Sequence, residues 1–305
     1  MDNIRVCTLN GRGLRNKLKR ASLFKFLKNN KYDIICLQET HVTESDVEVW
    51  SKQWGGKCFF NKGTNKSKGE AVLVSRHFEG NVELIFSQER LLVVSVQCEK
   101  FKFIIVNVYA PNASSEKMAF FSNLNEILSD YRDSEVILLG DFNCVINNDV
   151  DIISGQPHKN IEVKALNDAV KSLGLHDAWR SEHGEEKEFT WNRFNPFIAR
   201  RLDYIFVSTE LLTDCTACDH VIVPNSDHKA VVLELCDSAF VRGPGYWRFN
   251  NSVLRNQHFV QQMNQMLSNF ANANKETDTN CIDKWEMCKI DIREFCIKYG
   301  KKLSC

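Results

Sequence analysis

A short acidic and amide motif follows one of the most apolar stretches of this chain. Residues 136–139 are all apolar, which predicts a buried strand, and Gly140 and Asp141 come directly after them. Asp141 and Asn143 alternate around Phe142, so both polar side chains can point one way while the ring points into the core. A carboxylate is costly to bury without a partner. The motif therefore predicts one half of a site that holds water, a metal or a phosphate.

Five further strand ends carry polar side chains of the same kinds. A single polar residue at the end of a strand is usually a turn or cap residue, so each one alone is a weak signal. Ligands of α/β proteins bind at strand ends, however, and six such ends in one chain favour a shared site. The five other groups are Asn10, Glu39, Tyr109 with Asn112, Asp203, and the Ser-Asp-His run at 226–228.

Asp203 and His228 can form the carboxylate–imidazole pair of a hydrolase. A carboxylate on one ring nitrogen selects the tautomer of the ring and favours its protonated form. Ser226 offers an alternative, a Ser-His-Asp triad, but no G-x-S-x-G nucleophile motif accompanies it. The carboxylate–imidazole pair is therefore the favoured interpretation.

Oxygen-bearing side chains at three of these positions predict a divalent metal site. Asn10, Glu39 and Asp227 offer hard oxygen ligands with few carboxylates, a set that suits Mg²⁺ or Mn²⁺ together with water and substrate phosphate. The side chains that would surround the phosphate are Asp141, Asn143 and Tyr109. A metal and an imidazole can stabilise negative charge on a phosphorane while an acid orients the attacking water. The predicted reaction is metal-assisted phosphodiester hydrolysis.

The elements that must position these residues alternate between strands and helices. Apolar residues at helical spacing predict helices over 18–27, over 115–128 with Ser115 as cap, and over 163–173 with Gly174 as end. Strand-like stretches follow one another between the helices. Strands that are apolar on both faces favour two packed sheets with helices outside, an α/β fold.

A change of composition after residue 236 predicts a second region. A Gly-Pro-Gly break is followed by two helical patterns, over 253–270 and 282–299, with a polar stretch between them. Two helices of this size cannot bury their apolar faces alone. We predict one domain over residues 1–237 and a linker with a C-terminal helical extension over 238–305.

Bulk composition excludes some classes of protein and partner. The formal net charge of the 305 residues is zero, so a polyanion must be met by a local basic patch. There is no run of about 18 apolar residues and no secretory signal, so we expect an intracellular protein that does not span a membrane. Most of the twelve cysteines are expected to be reduced, small and buried.

Six motifs appear in an order that resembles one known superfamily of hydrolases. They are Leu-Asn-Gly-Arg-Gly-Leu at 9–14, Leu-Gln-Glu-Thr-His at 37–41, Asn-Val-Tyr-Ala-Pro-Asn at 107–112, Gly-Asp-Phe-Asn at 140–143, Arg-Leu-Asp-Tyr-Ile at 201–205 and Ser-Asp-His at 226–228. Together they resemble the endonuclease/exonuclease/phosphatase superfamily. The resemblance implies a DNase I-like four-layer α/β sandwich over residues 1–237. It also implies hydrolysis of phosphodiesters or phosphomonoesters with a divalent metal, Mg²⁺ or Mn²⁺.

The same resemblance implies a role for each matched residue. Asn10 and Glu39 match the metal-site positions of the superfamily, and Asp141 matches its water-orienting acid. Asp203 matches the acid that pairs with the histidine. The positions that match phosphate contacts are Tyr109, Asn143 and His228.

Three further features resemble the apurinic-type endonuclease of non-LTR (LINE-type) retrotransposon polyproteins. They are Gln-Glu-Thr-His at 38–41, Phe-Thr-Trp at 189–191 shortly before the motif at 201–205, and Gly-Tyr-Trp-Arg-Phe-Asn-Asn-Ser at 245–252. Arg12 is a departure from cellular abasic-site repair enzymes, which carry an acid at this position. The resemblance implies a nuclease that nicks double-stranded DNA and leaves a 3′-hydroxyl for target-primed reverse transcription.

This interpretation also implies partners and a place of action. We expect double-stranded DNA, a downstream reverse transcriptase and template RNA as partners, with synthesis in the cytoplasm and action in the nucleus. The chain would then be the N-terminal portion of a longer polyprotein. The alternatives are an abasic-site repair nuclease or phosphatase of the same superfamily, and a remnant that binds nucleic acid without cleaving it. The presence of all the matched polar residues favours a catalytic protein.

Basic, amide and aromatic residues near the motifs are predicted to contact DNA. They are Arg12, Asn112, Thr190, Arg193, Phe197 and Arg201. Residues 192–200 precede the Asp203 strand, which predicts a short loop or hairpin tip close to the site. One interpretation packs Phe194 and Phe197 on the domain. The other places Arg193 in a minor groove and Phe197 at a flexible base step, where they would select the target.

Overall fold

The structure is a computed structural model of the chain. It describes residues 3–157, 159–236 and 251–273, together with parts of a helix between 284 and 299. Contacts divide the chain into two compact units, Met1–Phe240 and Val241–Cys305. The Gly-Pro-Gly break lies outside the described residues, so the predicted domain boundary at residue 237 stays a prediction.

The strands belong to the first unit. They are β1 (Asn3–Asn10), β2 (Ile34–Gln38), β3 (Cys58–Asn61), β4 (Glu70–Val74), β5 (Gly80–Gln88), β6 (Leu91–Cys98), β7 (Lys102–Tyr109), β8 (Val136–Asp141), β9 (Ile152–Ile153), β10 (His176–Asp177), β11 (Trp191–Phe194), β12 (Phe197–Arg200), β13 (Asp203–Val207), β14 (Cys215–Ile222) and β15 (Lys229–Cys236). The polar residues predicted at strand ends therefore do lie at or next to the ends of β1, β2, β7, β8, β13 and β15.

The described α-helices include four that were predicted, over 18–27, 115–128, 163–173 and 253–270, and three that were not. They are α1 (Lys17–Asn29), α2 (Val47–Trp54), α3 (Ser114–Leu128), α4 (Asn160–Ser172), α5 (Ala178–His183), α6 (Thr209–Asp214) and α7 (Gln257–Ala273). Ser115 was predicted to cap α3 but lies inside its first turn, because the cap position is Ala113. Gly174 follows α4 with φ +61°, a conformation that suits glycine after a helix.

Two six-stranded sheets form the centre of the first unit. Their strand orders are β14-β15-β1-β2-β4-β3 and β10-β13-β8-β7-β6-β5. Apolar residues from both sheets form one buried cluster, which includes Val6, Ile137 and Ile205. Helices α1 and α2 pack on the outer face of the first sheet, and α3 and α4 pack on that of the second. The predicted four-layer α/β sandwich is confirmed.

The alternation of side chains along β1 shows how the sequence produces these layers. Ile4 and Val6 belong to the cluster between the sheets, whereas Cys7 and Leu9 belong to the cluster under α1 and α2. Asn10 continues the series of the inter-sheet face, and only 1% of it is exposed. The strand therefore places an amide at the edge of the space between the sheets.

Strand pairing brings the polar ends of several strands together. In the parallel pair β1–β2, Asn10 lies opposite Gln38, and in the parallel pair β7–β8, Tyr109 lies opposite Asp141. The antiparallel pair β8–β13 places Asp203 opposite Asp141 on its other side. Residues that lie far apart in the chain thus meet in rows at one edge of the two sheets.

A buried polar cluster crosses between the sheets below this edge. Gln38 Nε2 donates to Thr8 Oγ1 at 2.9 Å and to Asn107 Oδ1 at 2.7 Å. Asn107 Nδ2 donates to the Leu37 carbonyl at 3.2 Å. Because hydrogen bonds in a low-dielectric interior tolerate few alternative arrangements, these bonds tie the first sheet to the second at a defined register.

The second unit contains α7 and the described part of the later helix. Phe259 of α7 forms a buried cluster with Cys296 and Tyr299, which agrees with the two predicted helical patterns. Among the residues described here, no helix combines the length and the apolarity needed to cross a membrane.

Candidate active site

Gly140 allows the strand that carries Asp141 to approach its neighbour closely. Its φ is +137°, and a Cβ at this position would lie 2.0 Å from the carbonyl oxygen of Val108. Asp141 ends β8 and is 1% exposed. Asn10 Nδ2 donates to Asp141 Oδ2 at 2.8 Å, and the Asn143 backbone N–H donates to Asp141 Oδ1 at 2.9 Å. Both oxygens of this acid are therefore held in place.

His228 and Asp203 form the predicted carboxylate–imidazole pair. His228 Nδ1 donates to Asp203 Oδ2 at 2.9 Å, and both side chains are buried. Burial lowers the pKa of His228, but the charge of Asp203 and its hydrogen bond outweigh burial and raise that pKa to about 9. The imidazole is therefore protonated at neutral pH. Since Nδ1 is engaged, the Nε2–H is the donor that can face a ligand.

Ser226 contributes to the backbone around His228. Its Oγ accepts the His228 backbone N–H at 3.1 Å and donates to the Asn10 carbonyl at 3.3 Å. These bonds tie the loop before β15 to the end of β1. The alternative Ser-His-Asp triad is not formed, because the Ser226 hydroxyl bonds to backbone groups.

Asp141 has a carboxyl group that titrates near neutral pH. Burial raises its pKa, the negative charge of Asp203 raises it further, and His228 and the two hydrogen bonds lower it, with a result of about 7. A group with a pKa near the working pH can accept and release a proton efficiently. The position and the acidity of Asp141 therefore suit a residue that orients and deprotonates water.

Glu39 is anchored by the loop that follows β1 and by Tyr109. Its φ is +48°, a conformation that a residue other than glycine keeps only where its surroundings hold it. The Gly11 N–H donates to the Gln38 carbonyl at 2.8 Å, and the Gly13 N–H donates to the Glu39 carbonyl at 2.7 Å. Tyr109 Oη donates to Glu39 Oε1 at 2.6 Å. One carboxylate oxygen is thus fixed, which leaves the other as a potential ligand.

Asp227 is held by two donors next to His228. Arg12 Nη1 lies 2.9 Å from Asp227 Oδ2, and Trp191 Nε1 donates to the same oxygen at 3.3 Å. Within the described part of the chain, Asp227 Oδ1 is buried and has no hydrogen-bond partner. A buried carboxylate oxygen without a donor marks a position where a cation or an ordered water is expected.

These side chains line one cleft of about 290 Å³. The predicted site residues that line it are Asn10, Arg12, Glu39, Asn112, Asp141, Asn143, Asp227 and His228. Asp203 and Tyr109 do not line the cleft themselves. Asp203 bonds to His228, and Tyr109 bonds to Glu39. Folding therefore collects both halves of the predicted site around one space.

Two groups of side chains in this cleft could hold a metal ion. The ligand atoms of Asp141, Asp203 and His228 lie within 4.8 Å of one another. A metal bound by all three would have to displace the hydrogen bond between His228 and Asp203. The predicted group with Glu39 and Asp227 offers oxygen atoms only, and Asp227 Oδ1 still lacks a partner. This set fits a hard divalent cation such as Mg²⁺ or Mn²⁺.

Residues 3–228 match the sequence profile of the endonuclease/exonuclease/phosphatase family, a span that includes all six motifs. The chain belongs to this family. Membership makes the protein a hydrolase of the nuclease and phosphatase type, in a family that typically depends on a divalent metal.

The chain is similar to proteins of known sequence and to solved structures. It is 28% identical over 304 residues to the transposon TX1 uncharacterized 149 kDa protein of Xenopus laevis, and the match covers 98% of this chain but only 23% of that protein's length. It is 23% identical over 258 residues to an exodeoxyribonuclease of Bacillus subtilis (strain 168), over 75% of this chain and 98% of that one. The crystal structure of the AP endonuclease LMAP from Leishmania major has a TM-score of 0.69 at 16% identity, over 77% of this chain and 88% of that one, which shows the shared fold.

Two residues that were predicted to contact DNA are buried in the fold of this chain. Thr190 is 1% exposed, and its Oγ1 accepts the backbone N–H groups of Leu202 and Asp203 at 3.0 and 3.1 Å. Arg201 is also 1% exposed, and Asp151 and Asp177 lie 2.8 and 2.7 Å from its guanidinium nitrogens. Both assignments are corrected, because a side chain that is enclosed in the fold cannot reach a duplex. Thr190 positions the start of β13 instead.

Two of the four remaining predicted contacts, Arg193 and Phe197, lie on an exposed hairpin. Strands β11 and β12 pair from Trp191 with Arg200 to Phe194 with Phe197. Phe194 is 74% exposed and Phe197 48% exposed, so the interpretation that packs both rings on the domain is wrong. Arg193 is exposed on the same tip.

Trp191 is a site residue that the sequence interpretation missed. It lines the cleft, donates to Asp227 and forms a β-bridge with His228. Its place in the Phe-Thr-Trp motif, just before the hairpin, was the available signal. Tryptophan is most often a core residue, however, and only the fold shows that this indole N–H faces a carboxylate.

Proposed function

We propose that this protein is a divalent-metal-dependent endonuclease that nicks double-stranded DNA and leaves a 3′-hydroxyl end. The observation that carries the proposal is the row Asp203–Asp141–Asn10, in which a buried acid pair is joined to His228 on one side and to an amide on the other. A protonated imidazole and an acid that titrates near pH 7 thus lie around one cleft. That combination suits hydrolysis of a phosphate ester.

The buried acids and the histidine divide the chemistry between them. Asp141 orients a water molecule and takes its proton, since both of its oxygens are held and its pKa is near neutral. His228 directs its Nε2–H at a phosphoryl oxygen and stabilises the charge that develops there. Asn143 Nδ2 donates to the Ala110 carbonyl at 2.9 Å, which fixes this amide beside the phosphate.

A metal ion in the cleft would be held by Asn10, Glu39 and Asp227. When bound, Mg²⁺ or Mn²⁺ would supply positive charge for the phosphate and the leaving oxygen. Tyr109 keeps the Glu39 carboxylate in place through its hydroxyl. Arg12, whose side chain is 65% exposed, offers a further cation at the rim for the DNA backbone.

We further propose that the nick primes reverse transcription in a mobile element. The match over nearly the whole chain to a transposon protein supports this context, and so does the much greater length of that relative. The partners would be double-stranded DNA, a reverse transcriptase in the same polyprotein and its template RNA. The place of action would be the nucleus.

Nicking of a supercoiled plasmid tests the reaction. With Mg²⁺ the protein should convert supercoiled to open-circular DNA, EDTA should stop it, and Glu39→Gln should be strongly impaired. A DNA polymerase added afterwards should extend the nick without prior phosphatase treatment, since a 3′-hydroxyl is the required product. A nick that needs a 3′-phosphatase before extension would contradict the priming role.

Two other substrates, assayed in parallel, separate this proposal from its alternatives. A duplex with one abasic site tests a repair nuclease, and a phosphoinositide tests a phosphatase. Faster cleavage of either than of intact plasmid DNA would reject the proposed function. Tight DNA binding without cleavage of any substrate would identify a non-catalytic remnant.

The hairpin of β11 and β12 is proposed to select the nick site. Its tip exposes Arg193 and two aromatic rings whose centroids lie 6.1 Å apart. Basic contacts add affinity for any DNA, whereas an arginine in a narrow groove and a ring at a flexible step add preference. Phe197 is the residue proposed to act at the base step.

A short replacement of the tip tests this role. Residues 193–198 should be exchanged for a Gly/Ser turn, with Trp191 and the buried Ala199 retained because they belong to the site and the core. Metal-dependent nicking should persist while the map of nick positions changes. Phe197→Ala is the matched single variant. Identical nick maps for the wild type and both variants would exclude the hairpin as the selecting element.

A further inference from the structure

Arg90 lies at a turn position where glycine or asparagine is the usual residue. It is the second residue of the two-residue turn between β5 and β6, with φ +68°. Glycine and asparagine are the residues that adopt this left-handed conformation most readily in such turns. An arginine at this place therefore suggests a use for its side chain.

The side chain and backbone of Arg90 contact one residue, Tyr109, in three ways. The guanidinium Cζ lies 4.9 Å from the centroid of the Tyr109 ring. Arg90 Nη1 donates to the Tyr109 carbonyl at 3.3 Å. The Tyr109 backbone N–H donates to the Arg90 carbonyl at 3.0 Å. Together these contacts fix both the end of β7 and one face of the phenol ring.

The phenol ring in turn sets the direction of Glu39. Tyr109 is 6% exposed, and its hydroxyl donates to Glu39 Oε1 at 2.6 Å. A change of the torsion about the Cα–Cβ bond would break that bond, because it swings the hydroxyl at the far end of the rigid ring away from Glu39. Glu39 itself keeps a left-handed backbone at the end of β2 and depends on its neighbours for orientation.

We infer that Arg90 is a positioning residue for the metal site, acting through Tyr109 on Glu39. This inference rests on the proposed function, in which Glu39 is a metal ligand. Outer residues that orient a ligand typically change metal affinity ten- to a hundredfold when they are removed. Arg90 does not reach the substrate in this scheme: its side chain is 16% exposed and does not line the cleft.

Calorimetric titration of the metal-free protein with Mn²⁺ tests the inference without any measurement of activity. Arg90→Met keeps the length of the side chain and removes its charge and its donors, so Mn²⁺ should bind about tenfold more weakly. Arg90→Lys keeps a cation over the ring and should recover part of the affinity. Arg76→Met is the matched control, because Arg76 is an exposed arginine that bonds to Gly55.

The double variant identifies the route of the effect. Tyr109→Phe removes the bond to Glu39, and Arg90→Met should weaken Mn²⁺ binding no further in that background. Independent, additive losses would overturn the inference, and so would an equal loss in Arg76→Met. Thermal unfolding of each variant confirms that it is folded. If Arg90→Met does not fold, Arg90→Lys is used for the test instead.

Glu39→Gln distinguishes a failure of this inference from a failure of the proposed function. If Glu39→Gln binds Mn²⁺ as the wild type does, the ligand assignment is wrong and both proposals fall. If Glu39→Gln loses affinity while both Arg90 variants keep it, the metal site stands and the role of Arg90 is rejected.

Discussion

Two buried histidines on the β14–β15 hairpin have opposite acid–base properties. His228 precedes β15 and donates to Asp203, which raises its pKa to about 9. His220 lies within β14, and its side chain is fully buried. Burial lowers the pKa of His220, nearby cations including Arg201 and Lys229 lower it further, and the result is about 2. One ring is thus charged at neutral pH and the other is neutral.

The surroundings of His220 explain the difference. Its ring stacks on Trp179, with centroids 4.5 Å apart and planes 10° apart. Neither ring nitrogen has a hydrogen-bond partner among the described residues, and Glu188 Oε2 lies 3.6 Å from Nδ1. A charged ring would be costly there. The comparison teaches that a close, hydrogen-bonded carboxylate keeps a buried histidine of this fold charged at neutral pH, whereas burial without one keeps it neutral.

The two residues also affect stability in opposite directions as pH changes. The raised pKa of His228 stabilises the folded protein fully below its ordinary value of 6.5, and this contribution is lost as pH rises towards about 9. The lowered pKa of His220 has no effect on stability well above 6.5, where the ring is neutral in both states, and it destabilises the folded protein increasingly as pH falls from 6.5 towards about 2.

The largest expected effect separates the two histidines by activity. His228→Ala should lower nicking by about 10³-fold, because it removes the donor to the phosphate. Asp141→Ala should have an effect of similar size, and both variants should stay folded by thermal unfolding. His220→Ala is the control and should nick at close to the wild-type rate. If His228→Ala nicks at the wild-type rate, His228 has no catalytic role and the two histidines do not differ in function.

Removal of the carboxylate should make His228 resemble His220. Asp203→Asn keeps the size of the side chain but removes its charge, so the pKa of His228 should fall below its raised value of about 9. Nicking at neutral pH should fall by about 10²-fold, since the imidazole loses the carboxylate that orients it and is less protonated. NMR titration of the histidine ring protons measures the shift. An unchanged His228 titration would show that Asp203 is not its cause.

The sharpest test of the buried neutral ring is acid stability. His220→Phe retains an aromatic ring for Trp179 and cannot take up a proton. Between pH 6.5 and pH 5 the wild type should lose about 2 kcal/mol of stability from this residue, a loss that the variant avoids. Urea unfolding at the two pH values provides the measurement. If the wild type and the variant lose the same stability between the two pH values, a titratable group other than His220 causes the loss.

The smallest expected effect concerns the support of Asp203. Thr190→Val keeps the shape of the side chain but removes the oxygen that accepts the Leu202 and Asp203 N–H groups. It should destabilise the fold by about 1–2 kcal/mol, because two buried donors lose their acceptor. Thr190→Ser should restore most of that loss. If chemical unfolding gives Thr190→Val the same free energy of unfolding as the wild type, water replaces the hydroxyl.

The assignment of Arg201 illustrates what a linear pattern cannot settle. An arginine beside a site motif was predicted to contact DNA, yet Asp151 and Asp177 surround it inside the fold. Both acids lie in other segments of the chain, and nothing in the local sequence links them to Arg201. Thr190 was misassigned for the same reason, because its hydrogen-bond partners are defined by the antiparallel approach of other strands.

Strand ends and layers could be predicted because they follow from local physical rules. Apolar runs that stop at Asn10, Glu39 and Asp141, and one that begins after Asp203, place polar groups at the ends of strands, and the motif order indicates the family. The fold class therefore followed from the sequence. So did the pairing of Asp203 with His228, because only a few residue types can perform this chemistry.

Tertiary structure alone decided which groups are charged, enclosed or available. His220 and His228 are the same residue type on one hairpin, but His228 bonds to a carboxylate and His220 stacks on an indole ring. The exposure of the β11–β12 tip, the enclosure of Arg201 and the contact of Arg90 with Tyr109 depend on strand register between distant segments. Electrostatic energies change steeply with distance and burial, and neither quantity is defined until the chain has folded.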